Sequence, residues 1–577
     1  MSDIVFITPN FKGQLKEEPI GTMILATILD RAGITPEFLQ FYDFSAEGFE
    51  DFLDNAEKKI LAKPRKIVSF YTRCDTFHLS LRIAERVKRV APEVYIVFGG
   101  PQSDICAEDT LNAVDYVDFI CCGEGETTIL PFFTSLLENR PALDTPGLAY
   151  RKDGGVILNP KPELIADLDQ VPLINYGITR YRSYDGSVDP EPFPIDVGRG
   201  CPFSCVYCST KSFWQRKFRL KSAERIIDEI KRLHQLYGIT AFSFMHDMFT
   251  VDRKKVLQVC KALKELDFQV SWACSSRMDF LDIDLVREMR DAGMHRLYVG
   301  IETGSPRMQK IAKKNLKLDG VADLIRQIGE EGISVCASFI YGLPEETPED
   351  FSQTLAMYLE LMQYKKVELQ VHLLTFFQGT EVTSRYWEQL KPAASLSNIT
   401  GNFWVRENDA LISANPKLFT QYLEYSTPLR ERLVYLELFL KMFHSKKTAY
   451  LYLKKKYSDE HILEMYDRWV DANYELLQSI DQEKETNRLL ELLYCEDRFP
   501  GSFKDDPNRT LLLEFQRYQT NEHRAKEYFS PVEIYQFSAD DFKAGLPLEK
   551  IRPGITVIYR EQAPDGSIKF TQKISRM

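Results

Sequence analysis

Short apolar runs alternate with amphipathic stretches over the first 140 residues. "DIVFITP", "PRKIVSFYT" and "EVYIVFGG" read as buried strands, and "GTMILATILDRAG" and "HLSLRIAERVKRV" repeat apolar positions at helical spacing. Strand, helix and strand in succession predict right-handed crossovers and a parallel sheet covered on both faces. Residues 1–140 are therefore expected to form a doubly wound, Rossmann-like domain whose ligand-side loops are "SFYTRCDTFH", "FGGPQSD" and "CCGEGE". A hairpin-and-linker segment over 141–193 follows, with "GLAYRKDGGVILNP" turning at Asp153 and Gly154.

From residue 194 to 395 the alternation runs six times without reversal, through "FPIDVGR", "AFSFMHD", "QVSWACSS", "RLYVGIET", "SVCASFIYG" and "ELQVHLLTF". Six strand-helix units in a row predict a partial (β/α)6 barrel of TIM type, with its working face at the carboxyl ends of the strands. Residues 396–577 turn to long helical patterns, rich in aromatics such as Trp469 and Tyr474, and close on a β-hairpin through Asp565 and Gly566. The fold class is α/β, with a mostly α-helical C-terminal domain.

Composition narrows the function. In 577 residues, hydrophobic types make up 44% and charged types 27%, which describes a globular chain. A net charge of -11 gives no basic footprint for nucleic acid or for an anionic membrane surface. No apolar run is long enough to cross a bilayer and "MSDIVFITPN" does not read as a signal peptide, so a cytoplasmic monomer is expected. Eleven cysteines, an odd number without a regular framework, fit a reducing compartment and disfavour disulfides.

Three of those cysteines crowd into "GRGCPFSCVYCSTKSFW", just after the first barrel strand. A structural zinc site needs a fourth ligand, and no Cys or His pair at suitable spacing lies downstream. Cys201, Cys205 and Cys208 can instead each bind one iron of a 4Fe-4S cubane and leave the fourth iron open.

"RGCPFSCVYC", with Tyr207 directly before the last cysteine, resembles the CxxxCxxC signature of the radical S-adenosylmethionine (radical SAM) enzymes. "FSFMHDMFTVDRKKV", "SWACSSRMDF", "LYVGIETGSPRMQKIAKK", "SFIYGLPEETPED" and "LTFFQGTEV" resemble, in order, the later barrel segments of members with an N-terminal cobalamin-binding domain. "PIGTMILATILDRAG", "VFGGPQ" and "GEGETT" resemble that domain itself, so the resemblance spans residues 1–395.

The resemblance implies that Cys201, Cys205 and Cys208 hold the cluster and that SAM occupies the open iron. It assigns Asp247 to the SAM amino group, Arg277 to its carboxylate, Glu302 to the ribose, and the backbone of Tyr341–Pro344 to an adenine wall. For Arg277 and Glu302 the alternative is a structural ion pair between loops. Thr72, Gly100, Gln102, Glu124 and Gly125 are the expected cobalamin contacts. The DxHxxG motif that supplies a histidine to cobalt is absent; His78 either reaches the ligand or merely opens a helix. His246 stands where relatives often carry Asp, so the carry-over rests on Asp247.

Cys260, Cys274, Cys336 and Cys495 are expected in the core, and Cys74, Cys106, Cys121 and Cys122 are poorly spaced for a second cluster. The implied activity is reductive cleavage of SAM to a 5′-deoxyadenosyl radical and methylation, through methylcobalamin, of an unactivated carbon in a small-molecule or peptide substrate. An electron donor such as flavodoxin or ferredoxin is implied as partner. The alternatives are cobalamin-dependent radical cyclisation, ring contraction or oxidation, and, in another class, a non-catalytic cobalamin or redox sensor.

Overall fold

Runs of Ile, Val and Phe build β1 (Ile4–Thr8), β2 (Glu37–Gln40), β3 (Ile67–Tyr71), β4 (Tyr95–Gly99) and β5 (Phe119–Cys121), paired in parallel in the order 2-1-3-4-5. The computed structural model describes residues 3–11, 19–178, 192–393 and 404–433, a few positions between 436 and 471, and the backbone of 556–562 and 568–574. Helices α1 (Ile20–Arg31), α2 (Phe49–Ile60), α3 (Phe77–Val90), α4 (Pro101–Ile105), α5 (Ala107–Ala113) and α6 (Ile129–Leu137) connect and cover these strands. The hairpin expected between the domains, β6 (Leu148–Lys152) and β7 (Gly155–Leu158), pairs antiparallel with β5 and extends the first sheet to seven strands. Its buried residues, Leu148, Ala149 and Tyr150, find their apolar partners in that sheet, which carries the first folded unit past residue 140.

The second sheet consists of β8 (Phe193–Asp196), β11 (Ala241–Met245), β12 (Ser271–Ser276), β13 (Met294–Glu302), β14 (Ser334–Tyr341) and β15 (Val367–Leu373), all parallel and in chain order from one edge to the other. Between β8 and β11 lie a short ribbon, β9 (Gly198–Arg199) with β10 (Arg219–Leu220), and helices α7 (Thr210–Trp214) and α8 (Ala223–Tyr237). Then come α9 (Arg253–Lys264), α10 (Ile283–Asp291), α11 (Pro306–Ile311), α12 (Val321–Glu330), α13 (Pro348–Leu361) and α14 (Glu381–Tyr386). Several of the turns that lead into helices of this sheet end on a residue whose side chain satisfies a free N–H group of the helix. Ser222, Asp252, Asp282, Ser305 and Thr347 all accept from backbone nitrogens, and Thr347 forms a reciprocal capping box with Asp350.

Residues 404–433 contain two short helices, Asp409–Ala414 and Pro428–Arg432, and fold back over the first domain: Trp404 packs on Phe52 at 4.7 Å and Phe419 on Phe77 at 6.0 Å between ring centres. The expected terminal hairpin is present as β18 (Thr556–Gln562) against β19 (Ile568–Ile574), after the ribbon of β16 (Lys391–Pro392) and β17 (Leu423–Glu424). Most of the long helices expected after 433, with Trp469 and Tyr474, fall outside the described residues, as does Cys495. Among the described residues no helix is long and apolar enough to cross a membrane.

Trp272 on β12 anchors the barrel core. It is fully buried, stacks on Phe244 at 4.7 Å and donates its indole N–H to the carbonyl of Ala292 at 2.8 Å. Trp272→Ala is expected to lower the unfolding free energy by about 3–5 kcal/mol, read as an earlier denaturant midpoint, with Trp272→Phe costing less.

Candidate functional site

The β9–β10 ribbon delivers the chain to the cysteine loop, 200–208. Gly200 has φ +88, and a Cβ there would fall 2.1 Å from the carbonyl oxygen of Lys217, so only glycine fits. Its N–H donates to Oδ2 of Asp247 at 3.0 Å, which ties the loop to the end of β11. Further on, Val206 donates to the carbonyl of Ala312 at 3.1 Å and accepts from the N–H of Val382 at 3.0 Å. The loop is thereby held between the segment after α11 and the start of α14.

Cys205 is buried, and Cys201 and Cys208 are half-buried. Burial, reinforced by Cys208, Asp247 and Cys205, pushes the Cys201 thiol up to about 11, and burial also raises Cys208. Both thiols would have to give up their protons to bind iron. Among the described residues no three His, Cys, Asp or Glu side chains are placed to hold a single metal ion. A cubane takes one thiolate per iron and does not require such convergence.

Arg277 follows β12 and lies over the ring of Phe203 at 3.9 Å, so the cysteine loop and the third strand end stack directly. Its Nε and Nη2 donate to Asp279 at 2.9 and 3.0 Å, and Nη2 also donates to the carbonyl of Lys314 at 2.6 Å. Glu302 ends β13 at a register break, with φ +71, and its Oε1 lies 3.0 Å from Nζ of Lys314. Each side chain thus has an ion partner; for Arg277 it is not the pair between loops weighed as the alternative, since it pairs with Asp279 in its own loop, whereas Glu302 pairs with Lys314 of the segment after α11. What remains is one buried Arg277 nitrogen, Nη1, without a hydrogen-bond partner, and near it in the cysteine loop the buried hydroxyl of Tyr207, which lies beside the Cys205 thiol and Glu302. An orphaned guanidinium nitrogen beside the cysteine loop fits the carboxylate of an amino-acid ligand.

His246 explains its own departure from the relatives. Its Nδ1 accepts from the N–H of Met248 at 2.8 Å, so Nε2 carries the proton and donates to the carbonyl of Arg219 at 3.2 Å. Burial depresses its pKa to about 4, and the neutral ring braces the turn that presents Asp247.

The "YGLP" wall is braced from the C-terminal side, by a residue the sequence pattern did not single out. Arg430 donates to the carbonyls of Gly342 at 2.8 Å and Leu374 at 3.1 Å, and Tyr341 donates to the carbonyl of Leu433 at 3.2 Å. Glu346 accepts from the N–H of Gly342 at 2.5 Å, while its other oxygen is buried without a partner.

At the carboxyl edge of the first sheet, Thr72, Gly100 and Gln102 come together. Thr72 donates to the carbonyl of Gly99 at 2.9 Å, and Gly100, at φ +92, lies so close that a Cβ would meet the nitrogen of Thr72 at 2.9 Å. Gln102 donates to the carbonyl of Leu418 at 2.9 Å and to Gln378 at 3.3 Å. Gly125 precedes α6, its carbonyl accepting from the N–H of Ile129 at 2.8 Å. Glu124 turns away from that edge and accepts from Arg199 at 2.7 Å, from Arg219 at 2.9 Å and from the N–H of Ile165 at 2.7 Å. Against the cost of burial, those guanidinium groups hold its carboxyl below the ordinary value. Its oxygens are thus committed between the domains. His78 is buried in α3 against Tyr422. Helix α4, opening at Gly100, packs against α7, which follows Cys208, so the two candidate cofactor edges meet.

Residues 195–358 match the Radical SAM superfamily and residues 11–131 match the B12 binding domain. An uncharacterized methyltransferase of Pyrococcus horikoshii is 29% identical over 344 residues, 59% of this chain and 72% of that protein. The anaerobic magnesium-protoporphyrin IX monomethyl ester cyclase of Rubrivivax gelatinosus is 28% identical over 366 residues, 61% of this chain and 65% of that protein. The structure of OxsB, a cobalamin-dependent S-adenosylmethionine radical enzyme with aqua-cobalamin and S-adenosylmethionine bound, aligns at TM-score 0.61 and 14% identity, covering 96% of this chain and 82% of that one. The fold is shared.

Burial raises Glu346 from 4.5 to about 7. The folded state therefore holds this proton more tightly than the unfolded chain, and stability falls as pH rises from about 4.5 to 7. Glu346→Gln is expected to be more stable than the parent at pH 8, by about 3 kcal/mol at most, and to lose that advantage near pH 4, as thermal unfolding at the two pH values would show.

Proposed function

We propose, for a chain that belongs to the Radical SAM superfamily and carries a B12 binding domain, that it is a cobalamin-dependent radical SAM enzyme that methylates an unactivated carbon of a small-molecule or peptide substrate. Its cofactors are a 4Fe-4S cluster, SAM and cobalamin. When bound, cluster and SAM supply a 5′-deoxyadenosyl radical, and the corrinoid supplies a transferable methyl group. The observation that carries the reading is the packing of α4 on α7, which sets the edge of the B12 binding domain against the exit of the cysteine loop.

The chain's own residues fit these groups. Cys201, Cys205 and Cys208 offer three thiolates from one braced loop. Asp247, anchored on the N–H of Gly200, suits an ammonium. Arg277 Nη1 and Tyr207 offer hydrogen bonds to a carboxylate, Glu302 suits ribose hydroxyls, and the braced Tyr341–Pro344 backbone suits adenine. Thr72, Gly100, Gln102 and Gly125 line the edge that would take the corrinoid, and Glu124 holds that edge to the cluster loop. A cytoplasmic monomer reduced by a flavodoxin or ferredoxin completes the proposal. Radical cyclisation without methyl transfer stands as the second reading because cyclases are among the relatives.

Protein purified anaerobically and reconstituted with iron and sulfide is expected to release 5′-deoxyadenosine from SAM under reductant, and to show a corrinoid spectrum beside the iron-sulfur absorption. Cys205→Ala should abolish that release; a sensor would show none even in the parent. S-adenosylhomocysteine formed when cobalamin is added supports methyl transfer, and its absence favours the cyclase reading.

A further inference from the structure

The short segment after α11 meets the cysteine loop and the residues that end β12 and β13. Lys313 and Asn315 both adopt left-handed backbone, with φ 53 and 55, and between them Lys314 is turned inward, only 6% exposed. A lysine this buried demands a reason, since its ammonium loses hydration unless a carboxylate compensates. Here Nζ lies 3.0 Å from Oε1 of Glu302, itself 9% exposed. The carbonyl of the same residue accepts from Nη2 of Arg277 at 2.6 Å. One residue therefore grips two of the three charged groups assigned to SAM, Glu302 through its side chain and Arg277 through its backbone.

The surroundings are shaped for this grip. Gly300, on β13, leaves the space that the pair fills: a Cβ there would lie 2.1 Å from Oε1 of Glu302 and 3.0 Å from Nζ of Lys314. Gln309 fixes the segment from below, donating to the carbonyls of Ile301 and Thr303 at 2.8 Å each while its carbonyl accepts from the N–H of Leu316 at 3.1 Å. The preceding carbonyl of Ala312 accepts from Val206 between two cluster cysteines.

We infer that Lys314 is a positioning residue for SAM. It compensates the buried charge of Glu302 and aims that carboxylate at the ribose; its carbonyl orients Arg277 so that Nη1 stays free for the carboxylate of SAM. This rests on the assignment of Glu302 and Arg277 to SAM, and the test separates the two ideas.

The Kd for SAM is measured by anaerobic equilibrium dialysis on the reconstituted protein, with iron content and thermal midpoint taken alongside. Lys314→Met is expected to weaken SAM at least tenfold with iron content unchanged, and Lys314→Arg to recover most of the loss. On a Glu302→Gln background, Lys314→Met should cost less than threefold, because the charge it compensates is gone. If Lys314→Met does not fold, Gly300→Ala, which pushes the pair apart without removing a charge, must show the same tenfold loss. If Glu302→Gln and Arg277→Lys weaken SAM while the Lys314 and Gly300 variants do not, or if the Lys314 effect is equal on both backgrounds, the inference on Lys314 falls. If neither Glu302→Gln nor Arg277→Lys affects SAM, the assignment beneath it falls.

Discussion

The Glu124 carboxylate, buried between the guanidinium groups of Arg199 and Arg219, is the contact on which the arrangement of the two domains turns. Burying such charges is costly, and the cost is offset only when every partner is in place and well oriented. Arg199 also reaches Glu126 at 2.6 Å and Asp196 at 3.4 Å, and Asp196 in turn meets Lys221 at 3.3 Å. The network permits little sliding between the domains, because any displacement would leave a charge both buried and unpaired. It lies at the ribbon that feeds the cysteine loop. The edge of the first sheet and the three thiols are therefore positioned by the same set of ion pairs.

The cluster loop is braced from several directions by contacts that are mostly backbone. Gly200 is held by Asp247, Val206 by Ala312 and Val382, and Phe203 by the guanidinium of Arg277. The proposed radical chemistry needs this, since a reactive intermediate must be kept from water and its target held within reach. The C-terminal side takes part as well. Arg430 crosses to the strand ends at Gly342 and Leu374, and residues 404–422 pack on the first domain, with Gln421 donating to the carbonyl of Cys74.

Much of the site could be read from the chain because its chemistry is local. Three cysteines in one loop carry their own spacing, and strand ends are marked by the change from apolar runs to polar turns. Asp247, Arg277 and Glu302 could be placed for that reason. Lys314, Arg199, Arg219 and Arg430 could not: each is one basic residue among many, and what distinguishes it is a partner 12 to 95 positions away. Glu124 shows the same limit, since its loop position was legible while the direction of its carboxylate was not.

The alternation of apolar and amphipathic segments determined the two parallel sheets, and the cysteine spacing determined which strand end carries the three thiols. These features follow from periodicity and short-range geometry, which the order of residues contains. Tertiary structure alone decided that the hairpin at 148–158 joins the first sheet, that Glu124 binds the two domains together, and that Lys314 faces Glu302. Those outcomes depend on which buried surfaces and charges find partners across long stretches of chain, and that is settled only when the chain has packed.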